Sequence, residues 1–300
     1  MMVILIMLGL ISASPATGTA TFDFLLIAPT AREAVVGSFH PAAGSGAFAF
    51  YYNPAQLLAS TAPEAQFSYI NYPAGVNAGS AAYRQLVAQG RGFGAGFYYL
   101  NSGTMKRTNE QGEELGTFGV SFASLKIAGA QTVADRIDIG LSLNGLYGSI
   151  DTFFTVGVAG DAGAVYRLPD YHLSIGAGVR NLGLQIKPFG DYRDPLPFDI
   201  ALGAAWQPVP ALSLGVGVHK SSTDRFRFGC GVEGWAGSNI ILRAGYDSRG
   251  SDWNDGTLGG LLAGFAAGLG IRYDRYQVDY SFLPMGVLGF SHRLSLGFSL

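Results

Sequence analysis

From Ile137 the chain alternates: Ile137, Ile139, Leu141 and Leu143 fall on one side, and Asp138, Gly140, Ser142 and Asn144 on the other. A repeat of two residues marks an extended strand, because successive side chains point to opposite faces. The pattern returns at Tyr171, Leu173, Ile175, Ala177 and Val179, and again at Leu212, Leu214, Val216 and Val218. Phe226, Phe228, Cys230 and Val232 continue it, as do Leu294, Leu296, Phe298 and Leu300 at the end of the chain. About fourteen such segments follow Pro63. They start near Glu64, Asn77, Gly92, Gly116, Asp135, Thr155, Tyr171, Pro197, Ala211, Arg225, Asn239, Leu262, Arg275 and Ser291.

The opposite face decides the environment. A soluble sheet would carry Lys, Glu and Thr there, whereas this chain carries mainly Gly, Ser and Ala with occasional charges. Small residues suit a narrow, filled interior where another backbone comes close, and the bulky apolar face then meets lipid. Strands can cross lipid only as a closed barrel, since an open edge leaves backbone groups without partners. The predicted fold is therefore all-β, a transmembrane antiparallel up-and-down barrel of about 14 strands. Tight links at Gln89, Leu168, Gln207, Trp235 and Tyr273 interleave with longer ones around Ser102, Gly183 and Arg249. Short periplasmic turns and long outer loops alternate in this way, which puts both ends of the barrel on the periplasmic side.

Composition agrees with that reading. Of the 300 residues, 48% are hydrophobic, 13% charged and 44 are glycine, against roughly 25% charged in an ordinary soluble domain. Beyond the beginning of the chain no long uninterrupted apolar run suits a helical span. A net charge of −2 without a Lys/Arg block gives no reason to expect nucleic acid. Single Cys230 excludes an intramolecular disulfide framework. Residues 1–20, with an apolar centre from Val3 to Ile11 followed by small residues, read as an export signal. Residues 21–62 then precede a barrel of residues 63–300. Within them, Asn53 and Pro54 form a helix-start signal, a capping side chain before a proline at the first helical position. This apolar segment is too short for its own core; it is read as an internal plug, in preference to a periplasmic arm.

Catalytic motifs are missing. Lys220 and Ser221 suggest a phosphate loop, but His219 occupies the position of its glycine. His40, His172, His219 and His292 have no metal-ligand spacing, and no Gly-x-Ser-x-Gly elbow exists. The expectation is a protein that is not an enzyme and needs no metal or cofactor. Charges on the small-residue face carry more information: Asp138, Arg180, Asp199, Arg227, Glu233, Arg243, Arg272, Asp279 and Arg293 have both signs. Inside a plugged lumen they should pair with one another or with the plug, because an unpaired buried charge is costly. Tyr98, Tyr99, Tyr147, Tyr166, Trp206, Trp235 and Tyr273 are expected in interfacial girdles.

The stretch from Ala28 to Leu58 resembles the N-terminal hatch of the PorV/PorQ family and, more distantly, of the FadL-like channels. The residues that carry the resemblance are Ala31, Arg32, Gly37, Asn53, Pro54, Ala55 and Leu57. The stretch around Thr108, Gly112, Gly116 and Phe118, and the last two strands, are similar to the same family. The resemblance implies an outer-membrane barrel of a Gram-negative-type bacterium. It further implies one of two roles: a type IX secretion-associated shuttle that binds secreted cargo or secretion components, or a channel for a hydrophobic ligand.

Overall fold

The computed structural model describes residues 20–37, 41–254 and 256–300; the expected export signal lies outside them apart from Ala20. Fourteen antiparallel strands form one closed barrel. They are β1 (Glu64–Asn71), β2 (Asn77–Ala88), β3 (Arg91–Thr108), β4 (Glu114–Ala134), β5 (Ile137–Ile150), β6 (Phe153–Leu168) and β7 (Leu173–Lys187). The second half comprises β8 (Asp199–Val209), β9 (Leu212–Ser221), β10 (Phe226–Ala236), β11 (Ile240–Asp247), β12 (Phe265–Tyr273), β13 (Tyr276–Pro284) and β14 (Phe290–Ser299). Each strand pairs with its sequence neighbours, and β1 closes on β14 in a register from Glu64↔Ser299 to Asn71↔His292. Every expected strand start lies within three residues of the observed one. No described helix is long and apolar enough to cross a membrane.

The alternation sets the two surfaces. Ile139, Leu141, Leu143, Val216, Phe228 and Leu294 are exposed on the outer wall, with Cys230 among them, while their neighbours face the bore. Tyr147, Tyr166, Trp206 and Tyr273 are exposed near strand ends, and Tyr99 is exposed midway along β3. Two expected girdle residues are not in a girdle. Tyr98 is only 2% exposed and faces inward, its ring tilted against Phe24 with centroids 5.5 Å apart, because Phe97 and Tyr99 already occupy the lipid-facing positions on either side. Trp235 shares the inward parity of Glu233 and lies under the Arg272 guanidinium.

Connections at one end are tight, such as residues 89–90, 135–136 and 274–275; those at the other include residues 188–198 and 248–264. One expected long loop is mostly strand. β3 and β4 run for 18 and 21 residues, roughly twice the ~9–11 that a bilayer requires, so their hairpin continues past the hydrocarbon as paired backbone. Outside lipid the apolar alternation that reveals a strand is no longer required, and the sequence between Ser102 and Gly116 therefore looked like loop.

Residues 20–37 and 41–62 run inside the bore. They fold as 3-10 turns at Asp23–Leu26, Ala47–Tyr51 and Pro54–Ala59, with one α-helix, α1 (Ala31–Val36). The capped segment is 3-10 rather than α: Asn53 Oδ1 accepts from the Ala55 N–H at 3.0 Å and Pro54 opens the turn. The wall is bare where this segment touches it. A Cβ added at Gly94 would stand 2.6 Å from Leu57 Cδ2, and one at Gly140, Gly163, Gly176 or Gly245 would fall on atoms of Pro54, Asn53, Pro41 or Val35.

That fit is open to test. Gly140→Val and Gly176→Val are each expected to displace the inner segment while the barrel survives, whereas Gly145→Val, with open space around its Cβ, should change nothing. With Cys230→Ser and Leu57→Cys in the background, a membrane-impermeant maleimide should label the first two variants and spare the third; heat-dependent gel migration verifies the barrel.

Candidate functional site

The site is built around α1. Thr30 caps it, accepting from Glu33 N–H at 3.4 Å, and the Ala31 N–H donates to Ser295 Oγ of β14 at 2.9 Å. From this anchored turn Arg32 reaches the wall. Its Nε and Nη2 donate to Glu233 of β10 at 2.8 and 3.2 Å, a fork that suits a guanidinium and a carboxylate. Glu233 also accepts from Arg243 of β11 at 2.6 Å, and Arg243 donates onward to Asp279 of β13 at 2.7 Å. The chain of alternating charges thus ties the inner segment to three strands.

Other contacts fix the remaining turns. Asn53, fully buried, donates to the carbonyls of Pro41 at 2.7 Å and Ala164 at 3.0 Å. Arg84 of β2 pairs with Glu64 at 2.9 Å and donates to the carbonyls of Gln56 and Leu57. Lys126 of β4 pairs with Asp161 of β6 at 2.6 Å and donates to Tyr51 O at 3.3 Å. Arg84, Lys126 and Asp161 were absent from the sequence-based set. Lys126 could have been found, since it lies between lipid-facing Leu125 and Ile127, and Asp161 shares the parity of Gly157 and Ala159. For Arg84 the stretch around it mixes small and polar residues on both faces, leaving no readable alternation.

The residues singled out in the sequence divide into groups. Ala31, Arg32, Asn53, Pro54, Ala55 and Leu57 are buried in the bore, and Gly37 follows the end of α1. Glu233, Arg243 and Asp279 come together around Arg32. Arg180 pairs with Asp199 elsewhere on the wall, at 2.5 Å, with His219 3.7 Å from the same carboxylate. Asp138 lies beside Arg167, and Arg227 beside Asp224 and Asp252. Arg272 is exposed at the tight-turn mouth, bonded to Gln277. Arg293 donates to Tyr72 OH at 3.0 Å.

Helix α1 separates two cavities of similar size. On the tight-turn side a polar vestibule of 340 Å³ includes Arg32, Arg84, Arg272 and Asp279 in its wall. On the long-loop side a second cavity of 340 Å³ is lined by Ile27, Val35, Tyr52, Tyr246, Trp253 and Phe265, with Glu33, Arg180, Arg249 and Arg293 among them. Burial pushes the Glu33 carboxyl up to about 7 against the opposing pull of Arg32, and pushes Asp23 up to about 6. A small, mostly apolar chamber with a few converging polar groups is the form of a small-molecule site.

No family model matches the chain, and no curated protein does. Solved structures share its fold. A TodX monoaromatic hydrocarbon channel carrying the deltaS2S3 change is 12% identical with a TM-score of 0.65, over 90% of this chain and 99% of that one. The Pseudomonas putida toluene transporter TodX gives 12% and 0.63, over 89% and 95%. A Pseudomonas aeruginosa FadL homologue gives 12% and 0.58, over 96% and 99%. The chain therefore has the FadL-like outer-membrane barrel fold, and its exposed apolar wall is the surface such a fold presents to lipid.

Two outcomes follow from the network at α1. Arg32→Met leaves Glu233 with one guanidinium instead of two, and loss of one member of a buried ionic cluster costs about 3–5 kcal/mol; current through the barrel in a planar bilayer should rise. Glu33 and Asp23 hold their protons more tightly in the bore than in water, where their carboxyls would titrate near 4.5 and 3.8. Seating of the segment is therefore firmest below those values and loosens as pH rises through 6 to 7. Bilayer current should increase from pH 5 to pH 8, and Glu33→Gln should flatten most of that rise.

Proposed function

We propose that the chain is an outer-membrane channel for small hydrophobic molecules, with the segment at residues 21–62 acting as its plug. The observation that carries this reading is the pair of cavities on opposite sides of α1, inside a barrel whose strands are all paired. A solute entering from the long-loop end meets an aromatic chamber; α1 then bars the way to the polar vestibule. The bar is a six-residue helix held by an ionic fork and small-residue packing, a contact that can break and re-form without unfolding the barrel. The structural neighbours, a monoaromatic hydrocarbon channel and a toluene transporter, support the same class of solute. The barrel is closed, and a route along the bore passes α1.

A shuttle for secreted cargo, the role that the PorV/PorQ resemblance favours, has no cavity or contact of comparable clarity behind it and stands second. The shuttle would need no passage through the bore.

Liposomes separate the two. With Cys230→Ser, the pair Ala31→Cys and Ser295→Cys places thiols where α1 meets β14. The parent barrel should load an apolar aromatic dye into liposomes, the oxidised pair should fall to the rate of empty liposomes, and a reductant should restore uptake. Equal dye uptake with and without the protein would remove the channel reading.

A further inference from the structure

The wall of the barrel is uneven in height. β3 to β6 are 18, 21, 14 and 16 residues long, whereas β11, β12 and β13 have 8, 9 and 9, at or below the lower end of the ~9–11 that a tilted strand needs to cross hydrocarbon. All of them share the tight-turn end, so the shortfall falls at the long-loop rim. Two connections cap the short strands there, residues 248–264 between β11 and β12 and residues 285–289 between β13 and β14. They lie against each other: a Cβ added at Gly286 would stand 2.0 Å from Trp253 O.

The chemistry of these connections is that of the outer wall. From Gly256 to Gly264 and from Met285 to Gly289 no residue is charged, whereas the β3–β4 hairpin carries Lys106, Arg107, Glu113 and Glu114, and the connection at residues 188–198 carries Asp191, Arg193 and Asp194. Leu261 and Val287 are 60% and 72% exposed, as open as lipid-facing Leu141 at 68%. Leu262 and Leu288 are exposed too, and Phe265 and Phe290, the first residues of β12 and β14, carry the apolar outer face straight into the connections. Backbone outside a sheet tolerates hydrocarbon only where its polar groups find partners. Several do so locally: the Leu261 N–H donates to Thr257 O at 2.9 Å, the Phe265 N–H to Leu262 O at 3.1 Å, the Met285 N–H to Gly289 O at 2.8 Å and the Leu288 N–H to Met285 O at 3.2 Å. From this we infer that residues 256–264 and 285–289 are immersed in the leaflet on the long-loop side, their apolar side chains among the acyl chains beneath the headgroups. There they complete the lipid-facing wall above β11, β12 and β13. An exposed apolar patch that continues a lipid-facing wall has lipid as its partner, and this contact holds whichever solute or cargo the barrel serves.

The test uses the whole barrel in phosphatidylcholine vesicles. With Cys230→Ser in the background, Leu261→Cys and Val287→Cys each carry one polarity-sensitive dye, as do Leu141→Cys, on the lipid-facing wall, and Gln111→Cys, exposed at the turn of the β3–β4 hairpin. Two quenchers are compared, phosphatidylcholine with a nitroxide on its acyl chain and iodide present on both sides of the membrane. The nitroxide should remove about as much fluorescence from the Leu261 and Val287 positions as from Leu141, and iodide about as little, while Gln111 shows the reverse. Leu262→Cys and Leu288→Cys repeat the measurement should either first variant fail to fold, with folding judged by heat-dependent gel migration. Iodide quenching at either connection equal to that at Gln111 would overturn the inference by placing it in water. Protection of both connections from both quenchers would overturn it as well, since a second copy or another protein would then cover the patch in place of lipid.

Discussion

Hydrocarbon offers no partner to a backbone amide, and that constraint shapes this molecule from its outer wall inward. Each unpaired N–H or C=O in lipid costs several kcal/mol, so β1 must find β14 and the sheet must close. Closure fixes an inside, and with it a second requirement. The bore of a fourteen-stranded barrel is too wide for wall side chains of this size to fill, because most are glycine, alanine and serine. The N-terminal segment fills it. Bare backbone at Gly140, Gly163, Gly176 and Gly245 lets the segment lie directly on the wall, and Asn53, wholly buried, binds carbonyls of both the segment and the wall. The glycines are thus half of an interface whose other half precedes the barrel in sequence.

How much of this the sequence discloses depends on where lipid imposes a pattern. Strand starts were readable to within three residues because a one-residue slip in the bilayer would turn Leu141 or Val216 into the bore. Past the bilayer that penalty disappears, and the sequence of the long β3–β4 hairpin carries no strand pattern. Parity also placed the charges on the inner face, but parity is local. Nothing in the spacing says that Glu233, Arg243 and Asp279 gather around one residue some 200 positions earlier, because that depends on barrel curvature and on how α1 seats. Tyr98 shows the opposite error: an aromatic near a strand end was assumed to belong to the interface, although its neighbours Phe97 and Tyr99 had already claimed the lipid side.

The segment itself was legible only in part. The Asn53-Pro54 signal gave the start of a turn, and composition said that its surroundings were too apolar to be solvated. The helix that divides the bore was not foreseen, since six residues from Ala31 to Val36 show no helical periodicity. Its cap at Thr30 is one position in a chain with many threonines. What makes α1 a helix is tertiary: Ser295 accepts from the Ala31 N–H, one of the amides that a helix start leaves without an internal partner.

The two ways in which the wall holds this segment differ physically. Contacts at the glycines are close, made largely with the segment's backbone and with Asn53, and independent of ionic charge, so they resist change gradually and everywhere at once. The Arg32–Glu233–Arg243–Asp279 chain is directional and cooperative: its charges are buried together, and removing one leaves the others incompletely matched. Such a cluster contributes less to net stability than its short distances suggest, because desolvation offsets much of the attraction. It also makes two arrangements distinct, one with the charges matched and one with them solvated, with little of value between. Glycine packing therefore keeps the segment in the bore, and the ionic chain determines where α1 stands within it. Under the proposed channel reading, the partition has to stay in place and also yield, which takes both kinds of contact, one to retain the segment and one with only two stable settings.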